Sequence, residues 1–257
     1  MEPMWRRIAE DLRQKIESGS LGAGGLPLPS ENELQERYEA SRNTIREAVR
    51  WLATRSLVDT RPGQGTFVKK IDPFVTRLSP DLAATPGGEG VAYASEVSAC
   101  RRKPSTSPPR VEILRAVGRV VTELMLPEGA MVVSRHLERF IDDTPWSLQT
   151  TYYPLVLVGQ GAPLLIEAKV ILPGAVMYIE DQLGLKRAGR RDRLVVRASD
   201  RRETDFFGLP DDGRIAVVEL IQTVHDESGT PFAVSVTTFP ADRNEFVMSS
   251  GTALDDL

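Results

Sequence analysis

The sequence predicts an α+β protein in two parts: a small N-terminal helical module closed by a β-hairpin, and a larger module built on an antiparallel sheet with flanking helices. Three observations predict it. Residues 3–55 carry apolar positions at helical spacing in three short blocks. Residues 58–69 alternate like two strands around Pro62-Gly63-Gln64-Gly65. From residue 91 onward, strand-like segments come in neighbouring runs, as in an antiparallel sheet and not in a doubly wound one. A chain of 257 residues suits two such domains.

The first helix is expected over 3–18. Trp5, Ile8, Ala9, Leu12 and Ile16 form its apolar face, Arg6, Arg7, Glu10, Asp11 and Arg13 lie mostly on the surface, and Ser18-Gly19-Ser20 stops it. The Gly/Pro-rich stretch LGAGGLPLP is a loop. Ser30 stands three residues before Glu33, a capping box that opens a short helix over 31–38 burying Leu34 and Tyr38. Glu39-Ala40 makes a turn, and Ser41 caps a third helix over 42–55 whose stripe of Ile45, Ala48, Val49 and Leu52 packs inward. Asn43, Arg46, Glu47 and Arg50 point the other way. The hairpin has strands at 58–61 and 66–69.

Residues 71–90, rich in proline and glycine, are expected to be a linker, and 101–110 (RRKPSTSPPR) a surface loop. The second domain is expected over 91–250, with 251–257 as a tail. Its strands fall at 91–99, 130–141, 145–153, 193–199, 215–226 and 230–239, and its helices at 115–125, 174–183 and 200–208. The pair AVVELIQTVHD and PFAVSVTTF is read as a hairpin turning at 227–230.

Composition narrows the function. The net charge is −4, but residues 1–70 carry 12 Lys/Arg against 10 Asp/Glu, while the other 187 carry 20 against 26. Within 42–70, Arg42, Arg46, Arg50, Arg55, Arg61, Lys69 and Lys70 face only Glu47 and Asp59. A locally basic module in an acidic chain suits a polyanion. No run of 18 apolar residues is present, and the opening residues MEPMWRRIAEDL lack the apolar segment of a secretory signal. Cys100 is the single cysteine, so no internal disulfide forms. His136 and His225, the two histidines, have no Cys or His neighbour at metal-ligand spacing. Asp142-Asp143, Asp211-Asp212 and Asp255-Asp256 read as turn formers or tail charge, not as acid/base pairs. No dinucleotide fingerprint, P-loop or Gly-x-Ser-x-Gly elbow appears, so no cofactor and no enzymatic activity are expected.

Helix, turn, helix and β-ribbon in this order is the layout of a winged helix-turn-helix, which places its third helix in the DNA major groove. Arg can grip guanine with two hydrogen bonds and Asn adenine; Thr44 suits a phosphate or a thymine methyl. Glycines in the wing let backbone approach phosphate.

These residues resemble the GntR family of bacterial transcription regulators. The resemblance is carried by Leu28-Pro29-Ser30-Glu31, Ser41-Arg42-Asn43-Thr44-Ile45-Arg46 and Gly63-Gln64-Gly65-Thr66-Phe67-Val68, and covers 4–70. Asn32 stands where many members carry a basic residue. The DNA-contacting set is expected to be Ser30, Asn32, Ser41, Arg42, Asn43, Thr44, Arg46, Arg50, Arg61, Gly63, Gln64 and Gly65.

The second domain resembles the UTRA ligand-sensing domain of the HutC subfamily within GntR. The matching pieces are Val133–Arg139, Asp142-Asp143-Thr144-Pro145, Gln149–Pro154, Val196-Arg197-Ala198, His225–Pro231 and Pro240-Ala241-Asp242-Arg243. The resemblance implies a fold like that of chorismate lyase, an antiparallel sheet with a small-molecule cleft. Arg135 and Arg139, at i and i+4 of one strand, share a face. With Arg197 they are candidates for a phosphate or carboxylate. Either Gln149, Thr151 and Tyr153 or Thr150 and Tyr152 line the cleft, and Thr237 and Phe239 come from the closing strand. The expectation is a cytoplasmic homodimeric repressor on palindromic double-stranded operator DNA, responsive to a small effector and without a membrane role. The alternatives are a chorismate-lyase-like enzyme with a DNA-targeting module, revealed by turnover, and a ligand-free nucleoid-type binder, revealed by weak sequence preference and a strong salt slope.

Overall fold

A computed structural model describes residues 3–21, 25–55, 57–69, 73–78, 91–209 and 215–248. The chain divides into two compact units, Met1–Asp72 with Asp200–Arg214, and Pro73–Ser199 with Ile215–Leu257. The second stretch of the first unit departs from the contiguous boundaries read from sequence.

The first unit holds α1 (Met4–Glu17), α2 (Glu31–Tyr38), α3 (Arg42–Thr54), β1 (Val58–Arg61) and β2 (Gly65–Val68). Each helix start has its expected chemistry. Ser30 Oγ accepts from Glu33 N while the Glu33 carboxylate accepts from Ser30 N at 2.7 Å, and Ser41 Oγ accepts from Thr44 N at 3.2 Å. Glu39 ends α2 in the left-handed region, φ 48°. Ile8, Ala9, Leu12, Leu34, Ile45, Ala48, Leu52, Val58 and Val68 close on one another as the core. Arg13, expected on the surface, is buried, its guanidinium held by Glu10 at 2.7 Å. β1 pairs with β2 from Val58↔Val68 to Arg61↔Gly65, and Leu28 N donates to Thr66 O, so the loop before α2 lies along the wing.

The second unit begins with β3 (Phe74–Arg77), α4 (Val91–Ala99), β4 (Pro104–Thr106), β5 (Arg110–Arg115) and α5 (Arg119–Glu123). Then come β6 (Met131–Ile141), β7 (Thr144–Pro154), α6 (Val156–Gln160), a 3-10 turn (Pro163–Ile166), α7 (Ala175–Leu183) and β8 (Arg187–Ala198). After α8 (Arg201–Phe207), which falls in the first unit, β9 (Ala216–Asp226), β10 (Pro231–Pro240) and β11 (Asn244–Val247) complete it. The main sheet has seven strands in the order β4-β6-β7-β10-β9-β8, with β5 also on β6, and all its pairings are antiparallel. β6 and β7 turn through Asp142 and Asp143, at φ 51° and 60°, the two positive values that a tight two-residue hairpin demands.

Several expectations are corrected. Residues 91–99 form a helix, because Tyr93 and Val97 at i and i+4 bury one face against Phe74, Ile141 and Trp146. The loop at 101–110 contains β4 and opens β5. The helix at 115–125 shrinks to α5, since β5 runs through Arg115 and Gly118 (φ 52°) starts the turn. The strand at 193–199 begins at Arg187. The linker segment contains β3, which pairs in parallel with β11, while 71–72 and 79–90 lie outside the described residues, as does Lys70.

Candidate nucleic-acid interface and effector cleft

The N-terminal turn of α3 is largely exposed. Arg42, Asn43 and Arg46 are exposed, as are Asn32 and Arg50. Arg42 Nε donates to Glu31 at 2.8 Å and Arg46 Nε donates to the same carboxylate at 3.0 Å. Arg42 first and Arg46 second thereby hold the Glu31 carboxyl below the usual carboxylate range. Sequence reasoning missed Glu31, although an acid one residue after the cap of α2 was visible in it. Ser30 and Ser41 act as helix caps, and Ser41 Oγ also shares a hydrogen with Thr44 Oγ1 at 2.8 Å. Asn32 accepts from Gln35 at 3.3 Å.

The wing presents backbone. Gly63 (φ 73°) and Gly65 (φ 110°) adopt a conformation that side chains rarely take, and no heavy atom crowds either. Arg61 lies 4.4 Å over the Phe67 ring with Asp59 3.5 Å away. Between α2 and the wing runs a concavity of about 1160 Å³ whose walls include Ser30, Arg37, Arg61, Gly63, Gln64 and Gly65. Cationic forks, capping hydroxyls and open glycine amides on one surface are the donors that a phosphate backbone and base edges accept.

In the second unit the strand registers sort the candidate effector residues by face. Arg135, Arg139, Gln149, Thr151, Tyr153, Thr237 and Phe239 lie on one face; Thr150, Tyr152 and Arg197 lie on the other. The three arginines are therefore not brought together. Arg197 donates to Glu219 at 2.8 Å. Thr150 Oγ1 lies 2.9 Å from His136 Nδ1, and Tyr152 packs against the apolar group around Val132, Ile221 and Val234. Arg135 is 1% exposed and donates to four backbone carbonyls, those of Leu164, Leu165, Glu167 and Lys169. It clamps the loop after the 3-10 turn, and Tyr153 joins the apolar core beneath α6 and α7.

What remains is a compact polar group. Arg139 stands opposite Ser147, and Gln149 opposite Thr237. Arg139 donates to Gln149 Oε1, and its guanidinium lies 4.7 Å from the ring of Tyr93, whose hydroxyl donates to Phe140 O at 2.9 Å. Burial pushes the Tyr93 hydroxyl up to about 12, against the opposing pull of Arg139 and Arg102. Ser147 Oγ and Thr237 Oγ1, at 1% and 0% exposure, have no hydrogen-bond partner among the described residues. Phe239, with Phe246 edge-on at 5.2 Å, Leu78 and Leu220 bound this group on its apolar side. Sequence reasoning missed Ser147 and Tyr93; the odd-residue alternation of β7 pointed to the first. Among the described residues no cluster of His, Cys, Asp and Glu could hold a metal, and no helix is long and apolar enough to cross a membrane.

A winged helix-turn-helix with a separate antiparallel-sheet domain defines a two-domain transcription regulator. Residues 99–245 match the UTRA domain, and residues 5–68 match the bacterial regulatory proteins of the gntR family. The chain belongs to the UTRA-domain regulators of the GntR family and is a DNA-binding transcription regulator. It is similar to the HTH-type transcriptional repressor NagR of Bacillus subtilis, at 21% identity over 95% of this chain and 93% of NagR. It is also similar to the mannosyl-D-glycerate transport/metabolism system repressor MngR of Escherichia coli, at 38% identity over 27% of this chain and 28% of MngR. Its fold is that of the crystal structure of PhnF from Mycobacterium smegmatis, with a TM-score of 0.57 at 20% identity over 96% of this chain and all (100%) of that one.

Proposed function

We propose that this protein is a cytoplasmic homodimeric repressor of the HutC subfamily whose affinity for a palindromic operator is set by a small effector in the second domain. The α3 N-terminus and the wing read and grip the DNA. The effector occupies the face carrying Arg139, Ser147, Gln149 and Thr237. One observation carries this assignment: two buried hydroxyls without partners among the described residues stand beside a buried guanidinium. Each unpartnered hydroxyl costs about 1–3 kcal/mol, which a ligand with acceptor oxygens recovers. Arg139 with two hydroxyls suits a phosphate or carboxylate group. Thr151, whose hydroxyl shares a hydrogen with Ser235 at 2.8 Å, continues the same face. Coupling of about 1–3 kcal/mol between effector and operator changes DNA affinity roughly 5–150-fold.

The test is a thermal-shift screen of phosphorylated sugars, amino acids and small carboxylates, followed by operator binding with each hit. Binding that vanishes in Thr237→Val and shifts operator affinity supports the reading. Chemical turnover of a hit marks an enzyme instead. Failure of every anionic compound, with a neutral one binding, removes the anion assignment.

A further inference from the structure

Four side chains of α3 share the face opposite its buried stripe. At about 100° of rotation per residue, Asn43, Arg46, Glu47 and Arg50 fall within an arc of about 100°. Ile45, Ala48 and Leu52 lie on the other side and pack into the core of the first unit. All four side chains of the outer face are exposed. Asn43, Arg46 and Arg50 carry donors and suit a nucleic acid at once. Glu47 does not: a carboxylate only accepts hydrogen bonds, and it repels every phosphate.

The local reasons for an acid at this position are absent. A negative charge stabilises a helix in its first turn, where the backbone N–H groups are open, and Glu47 stands in the second turn of α3. Arg50, three residues on, is the cation in helical register with it, yet the two form no ion pair. Among the described residues Glu47 has no hydrogen-bond or ion-pair partner. The neighbouring acids are taken: Glu31 holds Arg42 and Arg46, and Asp59 lies 3.5 Å from Arg61. Glu47 is thus an exposed, unpartnered carboxylate in the middle of a cationic helix face.

We infer that Glu47 is a specificity-determining residue of DNA binding, accepting a hydrogen bond from the exocyclic amino group of cytosine in the major groove. This rests on the reading above that α3 reads the DNA, and it names the base that one further residue selects. Cytosine offers the groove an N4 amino donor with no acceptor on the same edge. Adenine sets its donor next to the N7 acceptor, thymine offers the O4 acceptor and a methyl, and guanine offers two acceptors. A carboxylate therefore meets a lone pair on every base except cytosine. Its repulsion of phosphate sharpens the choice, because Glu47 weakens binding to any sequence and recovers the loss only against an amino donor. Arg46 and Arg50, on the same face, suit guanine, so a half-site combining cytosine and guanine satisfies the acid and the forks together.

The experiment uses the full chain. Random-sequence duplexes are selected for binding and sequenced, giving a base-preference profile for the parent protein, Glu47→Ala, Glu47→Gln and Arg46→Ala, with folding checked by circular dichroism. Fluorescence anisotropy then measures affinity for selected and mixed-sequence duplexes. The parent profile is expected to hold a cytosine whose preference falls roughly fivefold or more in Glu47→Ala. In Glu47→Gln that preference is expected to turn to adenine, because a carboxamide bonds N6 and N7 together. Affinity for mixed-sequence DNA is expected to rise in both Glu47 variants. A profile unchanged in Glu47→Ala, a change at a base other than cytosine, or a loss spread evenly over all positions overturns the assignment and leaves the α3 reading standing. A parent profile without preference at any position, or one that Arg46→Ala also leaves unaltered, overturns both.

Discussion

Glu31 and Arg46 face each other across the helix-turn-helix, the carboxylate of α2 taking the Nε of α3 at 3.0 Å while its other contact holds Arg42 at 2.8 Å. All three side chains remain at least one-third exposed, so the pairs add little to stability. Their effect is on geometry: one acid fixes two guanidinium forks at the end of α3 that we propose enters DNA. It also lowers the positive potential of that end until a phosphate competes for the forks.

Glu31→Gln keeps the shape and removes the charge. Non-sequence-specific DNA affinity is expected to rise and the dependence of log K on log salt to steepen by about one phosphate contact, a slope of about 0.9. Discrimination between operator and mixed-sequence DNA is expected to fall, because the forks lose their tether. Arg46→Ala is expected to cost about 1–3 kcal/mol of operator binding. Fluorescence anisotropy on both DNAs across a salt series measures these effects; equal discrimination in Glu31→Gln would refute the tether.

Thr237 and Arg135 make opposite contributions to the same buried face. Thr237→Val removes a hydroxyl that has no partner among the described residues and is expected to raise stability by about 1 kcal/mol. Arg135→Met strips the donors from four carbonyls and is expected to cost about 3 kcal/mol or more. Urea denaturation of the full chain separates the two signs. A destabilised Thr237→Val would mean that the hydroxyl is satisfied in solution.

Tyr93 supplies a pH signature. Its hydroxyl is pushed up to about 12 by burial, above the ordinary tyrosine value of 10.0. For a group whose folded value is raised, the stabilisation is fully present below 10 and is lost as pH rises toward 12. Alkaline titration at 295 nm is expected to show a late step near 12 that disappears in Tyr93→Phe. A late step unchanged by that substitution would place Tyr93 in contact with solvent.

The helices of the first unit and the long inner strands were legible because each carries a complete local signal. Ser30 and Glu33 announce α2, Ile45, Ala48 and Leu52 mark the buried stripe of α3, and β6, β7, β9 and β10 alternate under burial on both faces. β8 was half missed because an edge strand needs no apolar alternation: Arg191, Asp192 and Arg193 stand exposed in succession, and the buried side chain of Arg190 is a charged one paired with Asp192. α4 was misread because short apolar runs with alanine fit either period, and Tyr93 and Val97 find their burial only through distant Phe74 and Trp146. The candidate effector residues were legible as a set but not as a site. Register decides that Arg197 faces away from Arg139, and no sequence pattern announces that Arg135 meets the carbonyls of residues 164–169.

Ser30 links the fold of the first unit to its surface. Its hydroxyl accepts from Glu33 N and donates to the Glu33 carboxylate at 2.8 Å, closing the first turn of α2 in which Glu31 sits. Ser30→Ala removes the cap and is expected to cost about 1 kcal/mol in stability. Fraying of that turn also moves the Glu31 carboxylate away from Arg42 and Arg46, so the DNA phenotype should resemble that of Glu31→Gln although Ser30 keeps no charge of its own. Combining the two substitutions tests this dependence. If Ser30 acts on DNA through Glu31, the double variant discriminates operator from mixed-sequence DNA no worse than Glu31→Gln alone. Additive losses would instead mean that Ser30 meets the DNA directly.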